Sequence, residues 1–552
     1  MTENKNVLYY GDNLKVLREH VADESIDLVY LDPPFNSNAD YNVLFSEKGG
    51  EKAHSQIKAF EDTWEWDHEA AVNFADAVQN GGQHVAKCML AFRTFLGASD
   101  MLAYLSMMAP RLVDLRRALK QTGSIYLHCD PTASHYLKML MDAVFGPNHF
   151  RNDIIWKRKA GRGETNQKAI RFGVSNDTIL FYVKSREAQL SRQYCESNPD
   201  YIESKFTHVD ENGRRYRLDN ITSPNYRANL CYEYKGIKPP PKGWAVSRER
   251  MEKMDRDGRL FIPTDPSRRI QRKRFLDELP GETVDSLWLD IPPINSQAQE
   301  RLGYPTQKPE ALLERIILAS SEEGGILLDP FCGCGTAIAA AQRLKRRWIG
   351  IDITHLAINL IKVRLKDAFG PSIEKSYRVV GEPEDLASAQ ALADEDKYQF
   401  QYWSLGLVGA RPDQSQQKKG ADRGIDGRLW LTDTGGNVKP VIISVKGGHV
   451  NVTQVRDLRG VIEREDAAIG VFICIEEPTA PMRKEAADAG FFQSETVGKS
   501  KHPRLQILTI EQLLEGKRID MPPQADVRSF KQAPKAKAKG TDEPTMFLEG
   551  EK

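Results

Sequence analysis

The sequence predicts an α/β protein, a doubly wound Rossmann-like sheet with a smaller α/β unit after it. Three observations carry that expectation. Short apolar runs rich in Val, Ile and Leu alternate with stretches of helical spacing, as parallel strands joined by crossover helices require. Several runs end in an acid, at Asp12, Asp32, Asp130, Asp329 and Asp352, and open α/β sheets bind ligands beyond the carboxyl ends of their strands. The pattern breaks off near residue 186 and resumes near 297, which implies an insertion in one sheet rather than two sheets.

VLYY (7–10) is a first strand closed by Gly11-Asp12, NLKVLREHV has helical spacing, and IDLVYL (26–31) runs into Asp32-Pro33-Pro34-Phe35. A helical stretch around 94–120 leads to a third buried strand, SIYLHCD (124–130), so residues 1–185 form the first part of the sheet domain. Across 186–296 basic residues interleave with aromatics and turn formers, as in RRYRLDN, KPPPKGW and RRIQRKRF. Periodicity there is poor, which predicts loop-rich or small-β structure. The sheet pattern returns with ILLDPF (326–331), a helix through TAIAAAQRLKRR, WIGIDI (348–353) and a helix to about 368, making 297–370 the second part. A connector at 371–395 leads to a third unit, 396–520, with strands VIISVK (441–446) and AIGVFICI (468–475). The Lys-, Pro- and Ala-rich end, 521–552, reads as a disordered tail.

At 552 residues the chain is long enough for several domains. No apolar stretch approaches the roughly 18 residues that a membrane span needs, and no secretory signal opens the chain. Seven cysteines, an odd number without framework spacing, fit a reducing cytoplasm. Seventy-seven basic and 77 acidic residues cancel. A protein coating DNA non-specifically is usually basic, so any DNA contact here is local.

LLDPFCGCGT (327–336) sets a strand, an acid and two glycines before a helix. The glycines permit a tight turn and close approach of a ligand to a helix N-terminus. Asp352, ending the next strand, is placed to hydrogen-bond ribose hydroxyls. The plain alternative is a structural turn followed by a surface acid. Cys332 and Cys334 read as small fillers of the turn, since no second cysteine pair lies near them.

Asp32-Pro33-Pro34-Phe35, the flanking GDN and LDPFCGCGT together resemble the amino-group DNA methyltransferases. The catalytic motif precedes the cofactor motif with a variable region between, an order that resembles the family's β class, as in type III Mod-like methylases. FRNDIIWKR (150–158), NDTILFYVK (176–184) and YPTQKPEALLERII (304–317) extend the resemblance over about residues 1–370. It implies S-adenosyl-L-methionine as cofactor and double-stranded DNA as substrate, in a bacterial or phage-encoded protein. Phe331, Gly333 and Gly335 would pocket the methionine part with Asp329 at the rim, and Thr336 opens the helix behind them. Asp352 would hold the ribose and Asp12 the adenine end. Thr306, Gln307, Lys308 and Pro309 would close over the methionine moiety.

Asp32 through Phe35 would hold a flipped-out base. The Asp32 carboxylate and Pro33 carbonyl would accept the two amine N–H bonds, Pro34 would stiffen the turn, and Phe35 would stack. Asp at position 32, where cytosine-N4 members more often carry Ser, favours adenine N6, with cytosine N4 as the alternative. The inserted region is the expected reader of DNA sequence.

GADRGIDG (420–427) followed by Ser444-Val445-Lys446 resembles the restriction-endonuclease-like superfamily near its Mrr-type branch. That family implies Asp426 as a divalent-metal (Mg2+) ligand and Lys446 as the lysine steadying the attacking water. Ser444 departs from the pattern, standing where an acid or Gln gives a metal oxygen. Two readings follow: a nuclease with a compensating acid such as Glu463 or Glu465, which would make a combined methyltransferase-nuclease, and a non-cleaving domain. The second is preferred. No GxxxxGK[ST] sequence occurs, so DNA translocation would need a separate restriction subunit. A homodimer is equally open.

Overall fold

The strand runs over 6–31 and 326–352 are almost continuously apolar, as strands covered on both faces must be. The computed structural model describes residues 5–34, 64–158, 172–295, 298, 300, 302, 304, 306–412, 424–432, 438–493, 500–522 and 526–528. Nine of its strands make one sheet: β1 (Asn6–Tyr10), β2 (Ile26–Leu31), β3 (Leu119–Cys129), β4 (Phe150–Lys157), β5 (Asn176–Val183), β6 (Leu287–Trp288), β7 (Ile326–Asp329), β8 (Arg347–Asp352) and β9 (Tyr377–Val380). Their order is β6-β4-β5-β3-β2-β7-β8-β1-β9. All pairings are parallel except those of β5 with β3 and β4. That one reversal brings the start of β5 to the edge where β2 and β3 end, so Thr178 lies opposite Cys129.

Helices α1 (Asn13–His20), α2 (His68–Asn80), α3 (Gln83–Leu96), α4 (Asp100–Ala118) and α5 (Ser134–Phe145) accompany the first half of the sheet. The long helix expected around 94–120 is two, because Gly97 at φ 64 ends α3 and the Ser99 side chain caps α4 at Leu102 N–H. In the second half follow α6 (Glu310–Ser320), α7 (Thr336–Arg343) and α8 (His355–Phe369). Helix α7 stops short of the expected RLKRR because Lys345 adopts φ 59, a left-handed turn back into β8.

Residues 192–285 form a compact unit of their own. Strands His208–Val209, Arg215–Asn220, Gln271–Phe275 and Leu260–Phe261 make a small sheet around Trp244, Ile221, Met251 and Ile270. Its Arg217, Arg272 and Arg274 all pair with Asp219, so three guanidiniums share one carboxylate. The end of the expected insertion, up to 296, differs. Leu287 and Trp288 pair in parallel with Ile155 and Trp156 and extend the large sheet, and Trp156 Nε1 donates to Ile291 O at 2.9 Å.

The stretch 371–395, expected as a connector, holds β9 and α9 (Leu386–Glu395). Strand β9 pairs with β1 from Asn6 to Tyr9, and Tyr377 packs on Trp348 at 5.6 Å. Helix α10 (Lys397–Leu407) then lies on α8: His355 N–H donates to Gln399 Oε1 and Asn359 Nδ2 to Tyr402 O, both at 2.8 Å. A Cβ on Gly406 would meet the Asn359 amide at 2.1 Å, so this contact requires glycine. The opposite side of α10 gives Phe400, Trp403 and Leu405 to the core of the last unit.

That unit is a sheet of β10 (Arg411–Pro412), β11 (Gly427–Thr432), β12 (Val438–Lys446), β13 (Ile469–Cys474) and β14 (Leu505–Thr509) in that order. Helix α11 (Val452–Arg464) packs against it. Residues 526–528, expected in the disordered tail, form β15, antiparallel to β11. No described helix is long and apolar enough to cross a membrane.

Candidate active site

The carboxyl ends of β1, β2, β7 and β8 surround one cavity, lined by Gly11, Asp12, Tyr30, Asp32, Pro33, Pro34, Asp329, Phe331, Gly333, Asp352 and others. The Gly turn that forms its wall needs its glycines. Gly333 sits at φ 48 and Gly335 at φ 72, where its N–H donates to Cys332 O at 2.7 Å. A Cβ on Gly335 would stand 2.7 Å from Ile361 Cγ1. The turn therefore packs tightly on α8, and α7 begins with its N-terminus at the cavity.

Asp352 anchors the turn. Its Oδ2 accepts from Gly333 N–H at 2.9 Å and its Oδ1 from Thr354 N–H and Oγ1 at 3.0 and 2.8 Å. Burial pushes its carboxyl up to about 6 against those bonds. A raised acid pKa means that the folded state holds a proton the unfolded chain has released. Stability from this group is therefore fullest below 3.8 and falls as pH rises to about 6, levelling off above it. The Asp352→Asn variant is expected to lose less stability than the parent across that window in denaturant titrations. Parallel pH dependences would show that Asp352 titrates ordinarily.

Asp32 faces the cavity from the end of β2. Lys308 Nζ donates to its Oδ2 at 2.5 Å, while Oδ1 is buried and has no hydrogen-bond partner among the described residues. Asp329 is 3% exposed, and burial, followed by the nearby charge of Asp32, holds its carboxyl well above the usual range although Phe331 N–H donates to it. Among the described residues seven acidic side chains line the cavity (Asp12, Asp32, Glu65, Asp67, Glu69, Asp329 and Asp352) against two basic ones, Arg111 and Lys308.

Sequence reasoning missed Arg111, the buried cation in the apolar run of α4. Its Nε donates to Asn13 Oδ1 at 2.5 Å, its Nη2 to Asp12 Oδ2 at 2.6 Å and its Nη1 to Met107 O at 2.9 Å. Asn13 Nδ2 in turn donates to Pro330 O at 2.8 Å, tying the two sequence-distant halves of the site together. A guanidinium inside the apolar stretch from Met101 to Val113 was the available signal, because a buried charge requires a partner. Tyr30, which also lines the cavity, was read only as a strand residue.

Of the other expected residues, Thr306, Lys308 and Thr336 line the cavity. Gln307 points to its own loop, donating to Glu300 O at 2.6 Å and accepting from Leu302 N–H at 2.8 Å. Pro309 begins α6, and Gly335 shapes the turn; neither is part of the wall. Phe35 lies outside the described residues. Cys332 and Cys334 are buried free thiols within the turn.

In the last unit, Asp426, Ser444 and Lys446 do come together. Asp426 Oδ2 accepts from Ser444 Oγ at 3.1 Å and from Val445 N–H at 2.7 Å, and Lys446 Nζ lies 3.6 Å away. Of the acids considered as substitutes, Glu465 is paired with Arg428 at 2.9 Å and Arg464 at 3.2 Å, and Glu463 is exposed on α11.

Residues 403–515 match the family described as NACHT-associated inactive Restriction Endonuclease 1. The Type II methyltransferase M.EcaI of Enterobacter cloacae is 30% identical over 264 residues, which cover 48% of this chain and 57% of that one. The StyLTI Mod subunit of a Type III restriction-modification enzyme, from Salmonella typhimurium, is 26% identical over 362 residues, covering 62% and 51%. The chain thus spans about half the length of the curated relatives it matches. Among solved structures, the PvuII DNA methyltransferase (cytosine-N4-specific) aligns with 14% identity and a TM-score of 0.31, over 65% of this chain and 85% of that one. Residues 26–363, which include Asp32, Lys308, the Gly turn and Asp352, match the N6/N4 family described as DNA methylase, and the chain belongs to that family.

Proposed function

We propose that the chain transfers a methyl group from S-adenosyl-L-methionine to the N6 amine of adenine in double-stranded DNA, as the modification component of a restriction-modification system. The observation that carries this is Asp32. Its Oδ1 is buried at the cavity edge with no hydrogen-bond partner among the described residues while Lys308 holds Oδ2, which leaves one acceptor beside Pro33. An exocyclic amine is a poor nucleophile because its lone pair is delocalised into the ring. Two acceptors on its N–H bonds favour a pyramidal nitrogen with that pair available, and positioning does the rest.

The cavity fits the cofactor. The positive-φ Gly turn leaves room for close approach, the start of α7 faces it, and an excess of carboxylates suits a sulfonium cation. When bound, the cofactor supplies the activated methyl. Asp32 in place of Ser supports adenine, as does the likeness to a Type III Mod subunit, which also supports a separate restriction subunit as partner. Tritium transfer from labelled cofactor to DNA of a methylation-deficient bacterium, then mass spectrometry of the digested nucleosides, tests the reading. N6-methyladenine is expected. N4-methylcytosine alone would overturn the choice of base, and no transfer would overturn the activity.

The last unit we infer to be non-cleaving, because Asp426 already accepts two hydrogen bonds from β12 and Ser444 offers only a hydroxyl in place of an acid. The full chain with magnesium or manganese is expected to leave methylated and unmethylated DNA intact. Cutting that vanishes in both Asp426→Ala and Lys446→Ala would overturn this.

A further inference from the structure

Behind Asp32 lies a buried chain of three side chains to which the proposed reaction has assigned no role. Tyr30 lines the cavity from β2, the strand that ends at Asp32. Its hydroxyl is 3.1 Å from His128 Nδ1 on β3, and His128 Nε2 is 3.1 Å from Asp177 Oδ2 at the start of β5. Tyr30, His128 and Asp177 are respectively 3%, 0% and 1% exposed. The antiparallel course of β5 is what delivers Asp177 to this edge. Arg158 Nε pairs with its other oxygen at 3.2 Å, and the Trp156 ring stands edge-on to the imidazole at 5.8 Å.

The direction of the hydrogen bonds follows from Asp177. Burial alone would raise its carboxyl, but the hydrogen bond from His128, with Lys308 and Arg158 nearby, holds it below the usual range. As an anion it only accepts, so Nε2 carries the hydrogen and Nδ1 presents its lone pair to the Tyr30 O–H. The hydroxyl then donates inward and keeps its own lone pairs for an outside donor.

We propose that Tyr30, His128 and Asp177 form the proton-accepting chain of the methyl transfer, with Tyr30 at the reacting amine and the other two positioning residues that act through it. The proposal rests on the reading of the Asp32 edge as the place where the amine is held. As the methyl carbon bonds to nitrogen, its bond to sulfur breaks and that electron pair stays on sulfur, leaving a positively charged secondary amine. One N–H bond, turned from the Pro33 carbonyl to Tyr30 as the nitrogen becomes tetrahedral, then breaks with its pair kept by nitrogen, and the proton binds Tyr30 Oη. The original Tyr30 proton passes to His128 Nδ1. Tyrosine ends neutral and His128 ends as an imidazolium facing the Asp177 carboxylate. Asp32, with Oδ2 committed to Lys308, serves to hold the amine. The chain resets by the reverse path to water once the methylated base has left.

The test is single-turnover transfer from tritiated S-adenosyl-L-methionine to DNA of a methylation-deficient bacterium, with cofactor affinity measured separately by calorimetry. His128→Gln can keep hydrogen bonds on both sides but cannot take a proton, and Tyr30→Phe removes one oxygen from a buried ring. Each is expected to slow transfer by about a hundredfold or more, the usual contribution of a positioned acid–base group, with cofactor affinity changed less than about twofold. The double variant is expected to be no slower than the worse single one, because the residues act as one unit. Free imidazoles are expected to restore part of the rate to His128→Ala in proportion to their basicity, a dependence that filling the cavity alone would not give. Near-parental rates in both His128→Gln and Tyr30→Phe would overturn the chain. If Asp32→Ala abolishes transfer in the same assay, the chain alone has failed; if it too keeps transfer, the placement of the amine has failed.

Discussion

Replacing Asp32 with alanine is expected to lower methyl transfer by about a thousandfold or more, the scale seen when a single oriented transition-state partner is removed. Cofactor affinity should stay within a few-fold of the parent, because the Gly turn, Asp352 and the start of α7 all remain. The structure sharpens the contrast between variants. Asp32→Ala leaves the Lys308 ammonium without its carboxylate in a site where both side chains are mostly buried, so part of any loss could come from a disturbed loop. Asp32→Asn keeps the shape and an acceptor oxygen, and is expected to retain more activity than alanine but far less than the parent. Calorimetry with the cofactor alongside tritium transfer separates binding from chemistry. Near-normal transfer by Asp32→Ala would remove Asp32 from the reaction.

Cutting the chain at residue 370 is expected to destroy the methylase fold rather than release it. Such a fragment lacks β9, so one side of β1 loses its partner and Trp348 loses Tyr377. It also lacks α10, which covers His355 and Asn359 on α8, the helix that follows Asp352 directly. Domains are held by only about 5–15 kcal/mol in total, and exposing a sheet edge together with a helix face consumes that margin. The 1–370 fragment is expected to be insoluble or to show no cooperative thermal transition, and proteolysis within 371–395 should not accumulate a stable core. A soluble 1–370 fragment that melts cooperatively and binds S-adenosyl-L-methionine would refute this.

The expectation that 371–395 is only a connector fails for a local reason. Strand β9 is four residues, YRVV, between a short turn of helix at Pro371–Lys375 and Gly381, and so brief a run looks like any connector. Only pairing with β1, more than three hundred residues earlier, defines it. Strand β15 was hidden in the same way inside a tail of low-complexity composition. In contrast, the Gly turn and Asp32-Pro33-Pro34 were legible because each is a local requirement. Positive φ at Gly333 and Gly335 restricts the residue type, and strand ends in an α/β sheet face the ligand. Asp352 lies in the cavity wall, and its hydrogen bonds to Gly333 and Thr354 were not foreseen. Arg111 and the Tyr30–His128–Asp177 chain escaped notice because their partners lie 49 to 99 residues away. No spacing pattern reports such meetings. They depend on which strands the fold makes neighbours, above all on the reversed direction of β5.

The excess of acidic over basic side chains around the cavity, among the described residues, bears on what part of a nucleotide can enter it. DNA, the proposed substrate, is a polyanion, and a rim of the same sign repels its phosphates, which would keep the strand itself outside. An uncharged base suffers no such penalty and can go in alone. The same field distinguishes the two forms of the cofactor. A sulfonium is drawn inward, whereas the thioether left after transfer has lost the charge that was being held. Spent cofactor would therefore be gripped less tightly than fresh, an asymmetry that turns the cavity over in one direction and weakens as salt screens it.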